Sequence, residues 1–364
     1  MNGSRSMINQ KERGCRAIRL WLYSVLLLCV IIVIVGGATR LTGSGLSITQ
    51  WKPIHGVIPP IGFAQWQEEF ERYQKISQYK LINNAMTLSE FKTIFWWEWT
   101  HRLLARLVGL VALFGFLSVW LLQRIERRVL LLLFTVPVLI ALQGVVGWWM
   151  VVSGLGDSTL VSVSQYRLAI HLVIACTVVV FVTALAFALK AYEAPPASIY
   201  VQRFAGLCVF LILVQIYFGA LVAGLHAGKV YNSWPLMDGQ IWPQGLLDIQ
   251  PYWHNFFENP LTVQFVHRCF AYALLIVVSF HAFQTRKASP NSPHARRAHL
   301  LALFLFIQAT LGIITLLLRA PILWSLIHQC VALFILCFAT AHWRATKGSL
   351  SAPSSLSIRT SHFM

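Results

Sequence analysis

Charge is scarce in this chain, and negative charge is the scarcest: 11% of its 364 residues are Asp, Glu, Lys or Arg, with 12 acids against 29 Lys and Arg. So little charge excludes an ordinary soluble globular domain, where about a quarter of residues carry it. The formal net charge of +17 would suit a nucleic-acid partner if the basic residues lined one soluble face. They fall instead in short clusters between apolar runs, the pattern of membrane topology, so no nucleic acid is expected. The seven cysteines (Cys15, Cys29, Cys176, Cys208, Cys269, Cys330 and Cys337) form no CxxC and no zinc-type Cys/His spacing. Six lie inside apolar runs and read as small buried hydrophobes. No disulfide is expected in an outer loop.

What the chain has in excess is apolar length, with 57% hydrophobic residues and 14 Trp. Runs able to cross a hydrocarbon core, roughly 20 residues each, occur eight times, near 20–39, 101–122, 129–152, 167–189, 204–225, 264–283, 299–318 and 322–342. Backbone polar groups must be satisfied internally in lipid, so all eight are expected to be helices. Basic residues precede the first span as in a signal peptide. Its apolar stretch is long, however, and GGATRLTGSG after it lacks a small-x-small cleavage site, which predicts a retained helix.

Lys and Arg set the direction. The arm 1–19 holds Lys11, Arg13, Arg16 and Arg19, and the loop after the second span holds Arg124, Arg127 and Arg128. The loop after the sixth holds Arg286, Lys287, Arg296 and Arg297, and the tail 343–364 holds Arg344 and Lys347. The opposite loops carry little beyond Lys229, with Arg167 and Arg319 at span edges. Both termini are therefore expected in the cytoplasm, with the loops 40–100 and 226–263 outside. The first of these is expected to carry an amphipathic helix at FAQWQEEFERYQK, and Trp96, Trp97 and Trp99 form an interfacial belt at the outer mouth of the second span.

The chain also repeats itself. WTHRLLARL (99–107) resembles FVHRCFAYA (265–273), LQGVVG (142–147) resembles IQATLG (307–312), and RLAIHLVIA (167–175) resembles LWSLIHQCV (323–331). A third Gln-x-x-x-Gly runs from Gln215 to Gly219. These matches predict an all-α polytopic membrane protein of eight transmembrane helices in two pseudo-symmetric four-helix bundles, 20–189 and 204–342, joined by the linker 190–203. Each half has an even number of spans, so the repeat is parallel, about an axis along the membrane normal. Gly147, Gly219 and Gly312 let helices approach closely, and the glutamines serve there either as packing contacts or as cross-helix hydrogen-bond donors.

Of twelve histidines, His101, His171, His267 and His328 stand apart. Each lies early in an even-numbered span, which places all four at one depth near the outer face, paired His101 with His171 and His267 with His328. Ionisable residues inside spans are costly and usually mark sites. Two neutral imidazoles from different helices of a four-helix bundle suit axial ligation of a haem iron; zinc suits less well, because no third and fourth ligand accompanies either pair. Arg102 and Arg268 follow the first His of each pair and either meet haem propionates or snorkel to head groups. Three residues before that His the halves differ: Glu98 in the first, Gln264 in the second. Glu98 reads as a general base or as a stabiliser of developing positive charge, with a helix N-terminal cap as the structural alternative.

EWTHR opening the second span, VHR opening the sixth, single histidines early in the fourth and eighth, and GGATRLTGSGLSITQWKPIHGVIPP (36–60) together resemble the haem A synthase family over about residues 20–345. The resemblance implies a haem b cofactor on His267 and His328, and a substrate haem O on His101 and His171 with Glu98 needed for turnover. The implied reaction oxidises the porphyrin C8 methyl to a formyl group through two hydroxylations and loss of water, giving haem A for cytochrome c oxidase. Implied partners are haem O synthase, the cytochrome c oxidase assembly machinery, an unidentified electron-transfer protein and the lipid bilayer; a homo-oligomer is compatible with the chain. The implied location is the bacterial inner membrane, or the mitochondrial one in a eukaryote. Some family members carry an outer-loop cysteine pair; this chain has none, so it is similar to the proteobacterial and mitochondrial branch and a thiol mechanism is not implied. Two other readings stay open: a quinol-linked membrane cytochrome b with two haems and no porphyrin chemistry, and a transporter built on parallel repeats. The clustering of ionisable residues near one face counts against the transporter.

Overall fold

The computed structural model describes residues 2–52, 54–122, 125–190, 192 and 194–348, with side chains from Gly14 onward. Arg124, the tail beyond residue 348 and the side chains of Lys11 and Arg13 lie outside the described residues. The described residues form helices and no strand: α1 (Asn2–Leu41), α2 (Phe63–Tyr73), α3 (Ser77–Leu81), α4 (Leu88–Leu122), α5 (Arg127–Val152), α6 (Gln165–Ala188), α7 (Ile199–Gly224), α8 (Asn255–Glu258), α9 (Pro260–Ala288), α10 (Pro293–Leu317) and α11 (Ile322–Thr346). Eight of them, α1, α4, α5, α6, α7, α9, α10 and α11, are long and apolar enough to cross a membrane, as the hydropathy predicts. The chain is a multi-pass membrane protein.

Local sequence explains where several spans begin. Ser198, Asn259 and Ser292 cap α7, α9 and α10, their side chains accepting from the backbone N–H of Val201, Leu261 and Ala295 at 3.4, 3.0 and 3.1 Å. Pro260 and Pro293 occupy first-turn positions, where a missing N–H does no harm. Two starts differ from the hydropathy reading. No proline occurs before residue 53, and the basic arm continues into the first span as one helix, α1. The second spanning helix begins at Leu88, thirteen residues before the apolar run that starts at 101, because the Trp-rich stretch ahead of that run is already helical and packs on the outer loop.

The packing closes two rings. α1 packs against α4 and α6, and α5 packs against the same two; α7 packs against α9 and α11, and α10 against those two. This arrangement is consistent with two four-helix units. α6 touches α7 and α11, and α1 touches α11, which joins the rings. One buried core serves the first ring, including Leu22 and Val25 of α1, Val108 and Ala112 of α4, Leu133 of α5 and Val179 of α6. The other serves the second ring, including Cys208 of α7, Val278 of α9, Leu301 of α10 and Leu336 of α11. On every spanning helix these core residues lie on one and the same side of the glycine or histidine of the repeat, the side of α1's N-terminal half. The bundles are therefore tightly filled at one end and only partly covered around the imidazoles at the other.

Outside, α2 does what its amphipathic pattern predicts. Trp66, Phe70 and Tyr73 are buried against Leu46 and the extended start of α4 at Phe91, Ile94 and Phe95. Trp96 and Trp97 stay exposed, as membrane-interface aromatics do.

The inner end of the first ring depends on one close approach. A Cβ on Gly115 would stand 2.0 Å from Nε1 of Trp21, whose N–H donates to the Val111 carbonyl at 3.0 Å. Gly115→Ala is expected to displace the indole and destabilise the protein by about 1–3 kcal/mol, read as a lower unfolding temperature in detergent; an unchanged temperature would contradict this packing.

Candidate functional site

The four histidines sit on α4, α6, α9 and α11, and each has a glycine of the preceding spanning helix beneath its ring. A Cβ on Gly36, Gly147, Gly219 or Gly312 would come within 2.7, 2.9, 3.2 or 2.9 Å of Cε1 of His101, His171, His267 or His328. At Gly36, Gly147 and Gly312 a side chain would force the helices apart, and at Gly219 it would be tight. Gly147, Gly219 and Gly312 come from the repeated Gln-x-x-x-Gly; Gly36 was not found by that pattern. The first ring carries His101 on α4 and His171 on α6, and the second carries His267 on α9 and His328 on α11. None of the four is fully covered by protein.

The glutamines reach the histidines across the helix contact. Gln143 donates to the backbone carbonyl of His171 at 2.8 Å, Gln215 to that of His267 at 3.1 Å and Gln308 to that of His328 at 2.9 Å. They are cross-helix hydrogen-bond donors as well as packing contacts.

Glu98 and Gln264 occupy matching places and bind their outer loops in opposite senses. Glu98 is 3% exposed and lies ten residues into α4, which begins at Leu88, so it does not cap that helix. Its Oε2 accepts from Ser47 Oγ at 2.7 Å and from the Ile48 N–H at 2.8 Å. Its Oε1 accepts from Arg102 Nη2 at 2.7 Å and Nε at 3.1 Å. Arg102 donates further to the carbonyls of Ile48 at 2.8 Å and Gln50 at 3.0 Å. Of the five N–H bonds of its guanidinium, one on Nη1 is left. Gln264 is an amide and donates instead, to the carbonyls of Ala227 at 2.8 Å and Tyr231 at 3.0 Å, while its Oε1 accepts from Arg268 Nη2 at 2.5 Å. Nε and Nη1 of Arg268 are buried without an acceptor. The two arginines that look alike in sequence thus differ: Arg102 is committed to the acid and its loop, whereas Arg268 has buried donors to spare.

His226 opens the loop that receives Gln264. Burial, then the charges of Arg40 and Lys229, push it down to about 4. It is therefore neutral at ordinary pH and accepts from Arg40 Nη2 at 3.2 Å, which ties the end of α1 to the end of α7. His281 and His342, read from sequence only as inner-end residues, are buried and face each other with Nε2 atoms 3.0 Å apart. Among the described residues no cluster of three or more His, Cys, Asp or Glu forms. Each imidazole pair therefore stands without the further ligands a zinc site needs.

The donor set fits a haem. Each ring holds two neutral-type imidazoles on separate helices, each imidazole lies in a cradle that a Cβ would fill, and the second adds buried guanidinium N–H groups suited to a carboxylate. Comparison with known proteins agrees. Residues 19–340 match the COX15-CtaA family, described as cytochrome oxidase assembly protein. The chain is 64% identical over 342 residues to a protein of Bartonella tribocorum named heme A synthase, an alignment covering 94% of this chain and 96% of that one. It is 65% identical over 342 residues to the heme A synthase of Bartonella henselae, with the same coverage. To that of Brucella ovis it is 55% identical over 344 residues, covering 94% and 96%.

Removing the acid tests the clamp. Glu98→Ala leaves a guanidinium, a hydroxyl and a backbone N–H without their acceptor and is expected to destabilise the protein by about 3 kcal/mol. Gln264→Ala loses only neutral or singly charged contacts and should cost about half as much. Thermal unfolding together with hydrogen exchange across residues 44–52 reads both effects; equal losses, or an unchanged exchange rate in Glu98→Ala, would contradict the clamp.

Proposed function

Because this chain belongs to the COX15-CtaA family of cytochrome oxidase assembly proteins, whose close relatives are heme A synthases, we propose that it converts haem O to haem A by oxidising the porphyrin C8 methyl to a formyl group. The observation that carries the reading is the pair of imidazole couples, each ring seated on a glycine of the neighbouring helix. The first-half couple, His101 and His171, receives the substrate haem O. The second-half couple, His267 and His328, holds a resident haem b, and Arg268 offers its unpaired N–H groups to a propionate. When bound, that haem supplies one-electron redox chemistry, which an inert methyl requires and acid–base side chains lack.

The residues of the chain orient and polarise. His101 and His171 place the substrate. Glu98 lies one helical turn before His101 with donors on both oxygens, so it is a fixed negative group held by Arg102, Ser47 and Ile48. That environment favours electrostatic stabilisation of positive charge over service as a free base. The same bonds pin the loop 47–50 beside Glu98 and Arg102. Two hydroxylations, each replacing a C–H bond of the methyl carbon by a C–O bond to the oxygen of a water and releasing two electrons and two protons, give a gem-diol that loses water to the aldehyde. The electrons pass to an electron-transfer partner.

The substrate comes from a haem O synthase and the product goes to cytochrome c oxidase. The described positive residues Arg16, Arg19, Arg127, Arg128, Arg286, Lys287, Arg296 and Arg297 favour cytoplasmic termini in a bacterial inner membrane. The quinol-linked electron carrier is disfavoured by the Glu98/Gln264 difference, which a pair of equivalent haems does not need.

Extraction of porphyrins from the full-length protein, co-expressed with a haem O source, tests the function. Haem A is the expected product; two unmodified haems and no formyl porphyrin would establish the electron carrier instead. Glu98→Ala is expected to keep the second-half haem and lose roughly 10²-fold or more in conversion. His267→Ala or His328→Ala is expected to abolish the low-spin spectrum of the resident haem.

A further inference from the structure

Three of the four pocket histidines are fastened to a neighbouring helix by a glutamine, and the fourth is not. Besides holding the His171 carbonyl, the Gln143 amide nitrogen lies 3.0 Å from Nδ1 of that ring. The Gln215 amide lies 3.1 Å from Nδ1 of His267, and the Gln308 amide 3.4 Å from Nε2 of His328; once an imidazole binds iron its other nitrogen carries a proton, so the bond that holds each histidine is the one from the amide to its backbone carbonyl. In each case the cradle glycine follows four residues later, so one helical turn presents an amide to the histidine and the next presents bare backbone to its ring. α1 supplies the glycine alone. Gly36 lies under His101, and the residue four before it is Ile32. An alkyl side chain donates nothing; Nδ1 is buried without a partner in both His101 and His328, but the His328 carbonyl is held by Gln308 and Ile32 offers no such bond to His101.

We propose that Gln143, Gln215 and Gln308 are positioning residues that hold three of the axial histidines. Ile32 makes His101 the one exchangeable ligand, so that a porphyrin enters and leaves the first-half pocket while the second-half porphyrin stays. The proposal rests on the two-pocket reading given above. A resident cofactor must survive many turnovers, and both of its histidines are held. A substrate held equally firmly on both faces would be retained as product, because contacts that grip substrate and product alike slow release without speeding the chemistry. The arginines differ in the same sense. Arg268 keeps buried donors for its ligand, whereas Arg102 spends all but one of its N–H groups on Glu98 and the loop. The second-half pocket is thus built to retain, and the first-half pocket to release.

The test uses the full-length protein co-expressed with a haem O source, with transfer of haem A to an apo-haem scavenger protein followed in time. A glutamine on the backbone carbonyl of a ligating histidine fixes that ligand from outside the metal's own shell, and losing or gaining such a support typically changes affinity 10–100-fold. Ile32→Gln is therefore expected to slow haem A release roughly tenfold or more and to raise the haem A that co-purifies, with the reduction potential of the second-half haem unchanged. Gln143→Leu should speed release. Gln215→Leu should shift the reduction potential and the low-spin electron paramagnetic resonance of the second-half haem, which a purely structural contact would leave alone. Release at the wild-type rate in both Ile32→Gln and Gln143→Leu, with the second-half haem bound, overturns the proposal and leaves the proposed function standing. If Ile32→Gln does not fold, wild-type release in Gln143→Leu with an unshifted potential in Gln215→Leu overturns it equally. A wild-type protein that forms no haem A overturns the function and this proposal together.

Discussion

An imidazole in the middle of an apolar helix has to be given room and a partner, and the placement of this protein's helices follows from that need. The ring is too bulky to lie between two ordinary side chains and too polar to face lipid without cost. Glycine on the opposing helix supplies the room, four times, at Gly36, Gly147, Gly219 and Gly312. Those contacts draw α1 to α4, α5 to α6, α7 to α9 and α10 to α11, and the remaining contacts close each set into a ring. The aliphatic cores then fill the end away from the histidines. A scaffold packed at one end and partly uncovered at the other is the form that a flat apolar macrocycle with an iron centre requires.

On this common scaffold a few substitutions separate the halves. Exchanging acid for amide at matching positions reverses the hydrogen bonding to the outer loop: Glu98 accepts from Ser47 and Ile48, and Gln264 donates to Ala227 and Tyr231. The exchange also changes what the following arginine has left, because a carboxylate takes two of the Arg102 donors on one oxygen while the amide oxygen takes one from Arg268. Identical His-Arg dipeptides therefore sit in different electrostatic settings. Replacing one glutamine of the repeat by Ile32 continues the divergence into the helix contact itself.

Much of this was legible in the amino-acid order. Spans of about twenty apolar residues and the Lys/Arg clusters are dense signals, and each of the eight expected spans is a helix, α1 and α4 starting earlier than hydropathy placed them. The His-Arg and Gln-x-x-x-Gly matches announced the repeat, two of the four histidines and three of the four cradle glycines. Other features left no local trace. The early start of α4 was hidden because Ser89, Glu90, Lys92, Thr93 and Glu98 keep Leu88–Thr100 below the hydropathy of a span, although Phe91, Ile94 and Phe95 recur at helical spacing and pack on α2. The Glu98 clamp joins positions about fifty residues apart, a separation no motif records. Gly36 escaped because its helix lacks the glutamine that marks the other three, and the absence became meaningful only once the ring above it was seen. The facing of His281 and His342 arises only when α9 and α11 come together.

The central claim is that both imidazoles of each pair stand on one iron. Near-infrared magnetic circular dichroism of the oxidised, haem-loaded protein reads axial ligand identity directly through the porphyrin-to-iron charge-transfer bands. Two low-spin haems, each with a bis-imidazole band, are the predicted result. A band assignable to a single imidazole with water, thiolate or thioether as the other ligand, in the haem of the second half, would contradict it.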